Sequence, residues 1–406
     1  MDARKNPFAP GAGTSPPELA GRKQILEDAD VVLDRLRSRL SSRSQIMVGL
    51  RGVGKTVLLN RIRQMAEEKR YHALLIEAHE DKSLPALLIP PLRRLLLRLD
   101  AEERLSEATK TGLRVLRSFI GRFRAKVKAG DLAEIELGVD PELGVADSGD
   151  LESDLTDLLL AVAHAAEARG AVVCLLIDEL QYLEEAELSA LIMALHQVSQ
   201  RNLPLVLFAA ALPLILGLSG RSKSYAERLF TFPAIGALSD EAARSALQAP
   251  AEAHDASFAD DALGEILAVT ERYPYFLQQW GYEAWNVAPS PRITLQDIQG
   301  ATTKAIQQLD ESFFRVRFDR LTRREKDFLF AMAALSGTQQ RSGDIAEKLG
   351  VKVNAIGPLR STLIGKGMIY SPAHGDNAFT VPLFDAFLKR QLALPAVSAS
   401  TTQRHP

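Results

Sequence analysis

The stretch from Ser44 to Ile62, SQIMVGLRGVGKTVLLNRI, carries Gly49, Gly54, Lys55 and Thr56 in the spacing G-x-x-x-x-G-K-[ST]. Each residue type suits one task in holding a polyphosphate. Glycines let the backbone wrap an anion, so that N–H groups of Gly52, Val53, Gly54, Lys55, Thr56 and Val57 can point inward while the following helix start adds positive potential. Lys55 can neutralise the outer phosphates, and the Thr56 hydroxyl can join the shell of a Mg²⁺. The plainer reading is a glycine turn with an exposed lysine. A second stretch argues against it: VVCLLIDE, an apolar strand ending in Asp178 and Glu179. At the end of a neighbouring parallel strand, Asp178 can hold the Mg²⁺ and Glu179 can orient a water toward a terminal phosphate. Together the two stretches point to ATP with Mg²⁺ and its hydrolysis.

The elements that must position these residues alternate. An amphipathic helix in ELAGRKQILEDADVVLDRL precedes a strand at QIMVGL, a helix over 56–69 and a second strand at HALLIEA. After residues 84–149 the alternation resumes with a helix ending at Gly170, the strand AVVCLLIDE, a helix at EAELSALIMALHQVSQ and the strand LPLVLFAAAL. This is α/β logic, a parallel sheet covered by helices. The interruption at 84–149 reads as a basic helical insertion, with a hairpin expected around FRAKVKAGDLAEIELGVD. Residues 1–17 read as an irregular lead-in, 18–235 as the nucleotide domain, 236–310 as a helical segment, 311–393 as a further module and 394–406 as a flexible tail.

Composition is that of ordinary globular protein: 406 residues, 46% hydrophobic and 25% charged, with a net charge of −2. That balance argues against a chain that coats nucleic acid nonspecifically. The charge is uneven, with net +7 from Arg93 to Lys128 and net +5 from Glu311 to Arg390. A single cysteine, Cys174, excludes a disulfide framework, and no stretch approaches a membrane span, so a cytoplasmic protein is expected. The seven histidines, His164 and His196 among them, lack metal-ligand spacing, and no G-x-S-x-G turn occurs.

With ELAGRKQIL, GLRGVGKT and IDELQYL in place, the chain resembles the AAA+ ATPases, and within them the archaeal-type, replication-initiator-like and STAND regulators. The resemblance implies a P-loop NTPase fold followed by a helical lid over 236–310 and a winged helix over 311–393. It implies that Leu19, Gly21 and Arg22 lie near the adenine. It also implies an arginine finger after the fourth strand, where Arg228 is preferred over Arg221; the plainer reading is a surface arginine paired with a nearby acid. The polar residue that senses the terminal phosphate in such proteins is missing, because the strand ends in Ala209, Ala210, Ala211 and Leu212. In the lid, Arg272, Tyr273 and Pro274 stand where a Gly-x-Pro turn would fall, with Arg in place of Gly. Tyr273 and Pro274 are therefore candidate nucleotide contacts, and the Trp280/Trp285 cluster beside them reads as core.

The segment from RLTRREKDFLFAMAAL to FTVP reads as helix, helix, short helix and hairpin, with Ser342 as a cap, Pro358 in the first turn of the last helix and Gly367 ending it. As a DNA reader it would present Arg360, Ser361 and Thr362, led in by Lys352 and Asn354 and closed by Lys366. A packing or partner-binding module is the equal alternative. The function expected is an ATP-dependent conformational switch with slow Mg²⁺-dependent hydrolysis. The rival is a DNA-binding ATPase of initiator, loader or mobile-element type. Expected partners are ATP and ADP, with duplex DNA, another protein or a second copy as candidates.

Overall fold

A computed structural model describes residues 1–11, 13, 16–17, 19–101, 106–123, 139–222, 226–373 and 375–393, with the side chains of 100, 101, 221 and 222 excluded. The hairpin expected at 123–140 and the tail at 394–406 lie outside those residues, almost wholly and entirely respectively. The chain divides into two compact units, residues 9–246 and residues 1–8 with 247–406. The division falls eleven residues beyond the expected edge at 235, inside a helix.

In the unit 9–246, α1 (Lys23–Arg37) buries Ala29, Val32, Leu33 and Leu36 along one stripe. It is followed by β1 (Ser44–Gly49), α2 (Lys55–Glu68) and β2 (His72–Glu77). Then come α3 (Leu84–Ala101), α4 (Glu107–Phe123), α5 (Leu151–Ala168) and β3 (Val173–Asp178). The order continues through α6 (Glu185–Gln200), β4 (Leu205–Ala211), α7 (Leu214–Ser222), α8 (Ala226–Leu229), β5 (Phe230–Thr231) and β6 (Ala234–Ile235). The sheet is parallel in the order β2-β3-β4-β1-β5, with β6 also on β1. Every residue of β1, β3 and β4 is buried, as unbroken apolar runs in a doubly covered sheet require. The two-residue strands β5 and β6 carry too little pattern to be legible in sequence.

Two expectations change. Asp178 is not on a strand adjacent to β1: β4 lies between them, so the two ends are about 10 Å apart at ordinary strand spacing. The basic stretch is also not an appendage, since Leu88, Leu92, Leu96, Leu116 and Phe119 of α3 and α4 share one core with β3, β4 and α5. Among the described residues, Arg94, Arg98, Arg117 and Arg122 of this stretch are exposed on helices whose inner faces are apolar.

The division crosses α9 (Asp240–Glu252), and the other unit continues through β7 (Ser257–Phe258), α10 (Asp260–Thr270), α11 (Pro274–Val287), β8 (Arg292–Ile293) and α12 (Leu295–Gln308). Residues 1–8, expected to be an irregular lead-in, are fastened here. The Met1 amine donates to the Ala288 carbonyl, Trp285 Nε1 donates to the Asp2 carbonyl, and Asn6 Nδ2 donates to the Tyr282 carbonyl. A π turn at Leu309–Phe314 continues into α13 (Arg315–Asp319). The last module comprises α14 (Arg323–Ala333), β9 (Gln340–Arg341), α15 (Ser342–Lys348), α16 (Val353–Gly365), β10 (Ile369–Tyr370), β11 (Asp376–Phe379) and α17 (Phe384–Ala393). Its sheet is antiparallel in the order β10-β11-β9, one strand more than the hairpin expected. Here the middle helix is the short one. Ser342 begins it rather than capping it, its hydroxyl donating to the Gly375 carbonyl at 2.9 Å. Pro358 is the sixth residue of α16, not in its first turn, and costs that helix one rung.

Candidate functional site

The loop between β1 and α2 is shaped by its glycines. Gly54 has φ +92°, a left-handed conformation that side chains disfavour, and it caps α2, whose Leu58 N–H donates to the Gly54 carbonyl at 3.0 Å. At Gly49 the constraint is space, because a Cβ would lie 2.1 Å from the Ile235 carbonyl oxygen of β6. Arg22 braces the same loop, donating to the carbonyls of Val53 at 3.2 Å and Gly236 at 2.5 Å. Burial holds its guanidinium below its ordinary pKa. Gly21 beside it has φ +68° and leaves no room for a side chain against Ala242, while Leu19 is half-buried.

Lys55 is 7% exposed, and its Nζ donates to the carbonyls of Gly49 and Leu50, each at 2.9 Å. Burial pushes its pKa down to about 8, with Glu179 and Asp178 opposing that shift and Arg51 adding to it. A buried ammonium bonded to two neutral carbonyls is short of negative charge, which is the electrostatic condition a polyphosphate satisfies. Helix α2 packs on β4. Small side chains at Ala209, Ala210 and Ala211 occupy the strand beneath, and Thr56 Oγ1 crosses to donate to Asp178 Oδ2 at 2.6 Å. Burial raises the Asp178 carboxyl, against the hydrogen bonds from Thr56 and the Glu179 N–H. A hydroxyl and a carboxylate brought together in this way, both with oxygen donors, fit Mg²⁺.

Glu179 follows in a left-handed backbone, φ +52°, and starts a 3₁₀ turn at Leu180–Tyr182. Its Oε1 lies 4.0 Å from Arg51 Nη1, and Arg51 Nη2 donates to the Tyr182 hydroxyl at 2.7 Å. Gln181 Nε2 donates to Glu179 Oε2, and Gln181 Oε1 accepts from the Leu212 N–H at 2.9 Å. Arg51, Gln181 and Tyr182 were not singled out from sequence. An amide and a phenol in the otherwise apolar tail of IDELQYL were the available signal.

Arg228, in the last turn of α8, is exposed and far from this loop. Phe230, two residues on, is level with Ser44, the first residue of β1, whereas the loop leaves β1 at Gly49. Five residues of strand are about 17 Å, beyond the reach of an arginine side chain. It lines a cleft of about 530 Å³ with Ser41, His196, Ser199, Gln200, Asn202 and Leu229. The side chain of Arg221 lies outside the described residues.

Tyr273 and Pro274 belong to the other unit. Arg272 has φ +57°, so the backbone keeps the left-handed turn although Arg replaces Gly. The Tyr273 phenol is buried within its own unit, its ring 5.4 Å from that of Phe276, and burial raises its pKa. Trp280 and Trp285 are core residues. In the last module Arg360 is committed internally, donating to Asn377 Oδ1 at 2.5 Å, to Ser371 Oγ at 2.7 Å and to the Asp376 carbonyl at 3.2 Å. Lys366 is bound to Glu325 at 2.8 Å. Lys352, Asn354, Ser361 and Thr362 are exposed, the Thr362 hydroxyl donating to the Pro358 carbonyl. Among the described residues no cluster of three or more His, Cys, Asp or Glu could hold a metal, and no helix is long and apolar enough to cross a membrane. Cys174 is buried in β3, which pushes its thiol up to about 12.

Residues 18–208 match the family model of the AAA ATPase domain, and residues 311–388 match a domain of unknown function (DUF8462). No curated protein matches the chain. Among solved structures, the Walker-type ATPase PABY2304 of Pyrococcus abyssi is 14% identical with a TM-score of 0.55, over 93% of this chain and 97% of that one. Cdc6p from Pyrobaculum aerophilum is 15% identical with a TM-score of 0.48, over 97% and 98% respectively. The first likeness shows a shared fold; the second is too distant to carry an argument. Since the matched residues 18–208 contain the glycine loop, Thr56, Asp178 and Glu179, the chain carries an AAA+ P-loop ATPase domain.

Proposed function

We propose that the chain is a Mg²⁺-dependent ATPase of the replication-initiator-like and STAND-related group, in which the nucleotide acts as a conformational switch and hydrolysis is slow. The observation that carries this reading is the buried Lys55 ammonium, placed beside the Thr56–Asp178 pair and followed by Glu179. In it, the N–H groups from Gly52 to Val57 and the Lys55 ammonium hold the phosphates. Thr56 and Asp178 hold Mg²⁺, which would neutralise charge on the phosphate oxygens during transfer. Glu179 orients the attacking water. Leu19, Gly21 and Arg22 lie at the base side of the nucleotide, supported by the bonds from Arg22 to Val53 and Gly236. Arg228 acts on a neighbouring copy, in keeping with its distance from its own loop.

Residues 311–393 are the output module. The order of α14, α15 and α16 with the antiparallel sheet supports a winged helix. The hydrogen bonds of Arg360 and Lys366 within the module favour a packing or partner-binding role over base reading. The test is to size the purified protein with ADP and with a non-hydrolysable ATP analogue, each with and without duplex DNA. A nucleotide-dependent change in size without a DNA shift supports the switch. A DNA shift at low salt that needs ATP and fades with salt supports the DNA-binding ATPase instead. No response to either nucleotide would refute both.

A further inference from the structure

We propose that Gln181 is a positioning residue for Glu179, tying that carboxylate to the end of β4 through one buried amide. Gln181 is 8% exposed, and both ends of its amide are engaged. A backbone N–H can only donate, so the Leu212 N–H fixes the amide oxygen toward β4, and the NH₂ must then face Glu179. That group donates to Oε2, leaving Oε1 as the oxygen nearest Arg51 of the phosphate loop.

The backbone is built for the same end. Glu179 is in a left-handed conformation, and the Tyr182 N–H closes the turn on the Glu179 carbonyl at 3.0 Å. One tight turn thus presents the carboxylate and brings round the amide that holds it. β4 itself has only alanine side chains at this end, so its polar contribution is the Leu212 N–H, delivered to the site by Gln181. A leucine would fill the space, but it would leave the Leu212 N–H unpaired and Glu179 free to rotate.

The inference rests on reading Glu179 as the residue that orients water, and the experiment separates the two. Steady-state Mg²⁺-ATP turnover and binding of a fluorescent ATP analogue are measured for the wild type, Gln181→Glu, Gln181→Leu, Glu179→Gln and the double variant Glu179→Gln with Gln181→Glu. Gln181→Glu keeps an acceptor for the Leu212 N–H but sets a second carboxylate beside Glu179, whereas Gln181→Leu removes the donor to Glu179 without adding charge; a loss common to both variants is the loss of the donor. The expected result is a fall in kcat of roughly 10- to 100-fold for Gln181→Glu, with KM and analogue affinity changed less than about twofold. In the Glu179→Gln background the same change should lower the residual rate no further. Wild-type kcat in Gln181→Glu, or an equal loss in both backgrounds, overturns the inference alone. Joint loss of analogue binding and of the cooperative melting transition in both Gln181 variants overturns it in favour of a purely structural role. Analogue binding without turnover in the wild type overturns the reading of Glu179 itself, and this inference with it.

Discussion

Lys55 offers a direct test of the phosphate site without any assumption about turnover. Its ordinary pKa of 10.5 falls to about 8 on folding, because burial outweighs the attraction of Glu179 and Asp178. Between those values the unfolded chain binds more protons than the folded one, so stability rises with pH across that window. At about 1.4 kcal/mol per pKa unit, the gain approaches about 3 kcal/mol near pH 10.5, and about 2 kcal/mol of it is present by pH 9.5. The perturbation is Lys55→Met, which keeps an unbranched side chain and removes the titrating group. The assay is urea denaturation of both proteins from pH 7.5 to 9.5 without nucleotide. The wild-type free energy of unfolding should rise relative to the variant by about 2 kcal/mol over that range. A non-hydrolysable ATP analogue should abolish the rise for the wild type, because its phosphates supply the missing negative charge, and should leave Lys55→Met unchanged. A difference between wild type and variant that stays flat with pH would refute the buried-cation argument. Analogue binding by Lys55→Met at wild-type affinity would refute the phosphate site.

Other expectations follow from the same geometry. Glu179→Gln should bind ATP and turn it over at least about 100-fold more slowly; hydrolysis at the wild-type rate would remove the water-orienting role. Arg228→Ala should leave ATP affinity unchanged and lower turnover only at protein concentrations where copies associate, which a concentration series of rates would show. Glu325 is 2% exposed, and although burial raises its carboxyl, the bonds from Lys366 and Thr322 more than offset this and hold it below its ordinary 4.5. Its folded value is the lower one, so its contribution to stability is present above pH 4.5 and lost as pH falls through the folded value. Lys366→Met should therefore destabilise by about 1–2 kcal/mol at pH 7, with the difference shrinking on acidification in chemical denaturation. Gly281→Ala would bring a Cβ within 2.6 Å of the Phe8 ring and should cost about 1–3 kcal/mol; Phe8→Ala in the same chain should relieve that added cost.

The P-loop ATPase domain was legible in the linear chain because each of its two marking stretches is local. A glycine-rich turn that starts a helix, and an apolar strand that ends in two carboxylates, carry their geometry within a few residues. For the same reason the alternation of strands and helices could be placed from pattern. What sequence could not order was anything joining residues distant along the chain. The insertion of β4 between β1 and β3 decides that Thr56 reaches Asp178 across a strand of alanines. The two-residue strands β5 and β6 place Arg228 at the far edge of the sheet. Residues 1–8, which carry no hydrophobic period, are held by hydrogen bonds to α11 and its end and by the buried Phe8 ring, contacts that no local pattern announces. Gln181 is the sharpest case: its type is ordinary, and only the meeting of a tight turn with the end of β4 gives its amide two partners. Periodicity and motif report what a residue can do within its own turn or strand, and the tertiary fold decides which distant backbone group it meets.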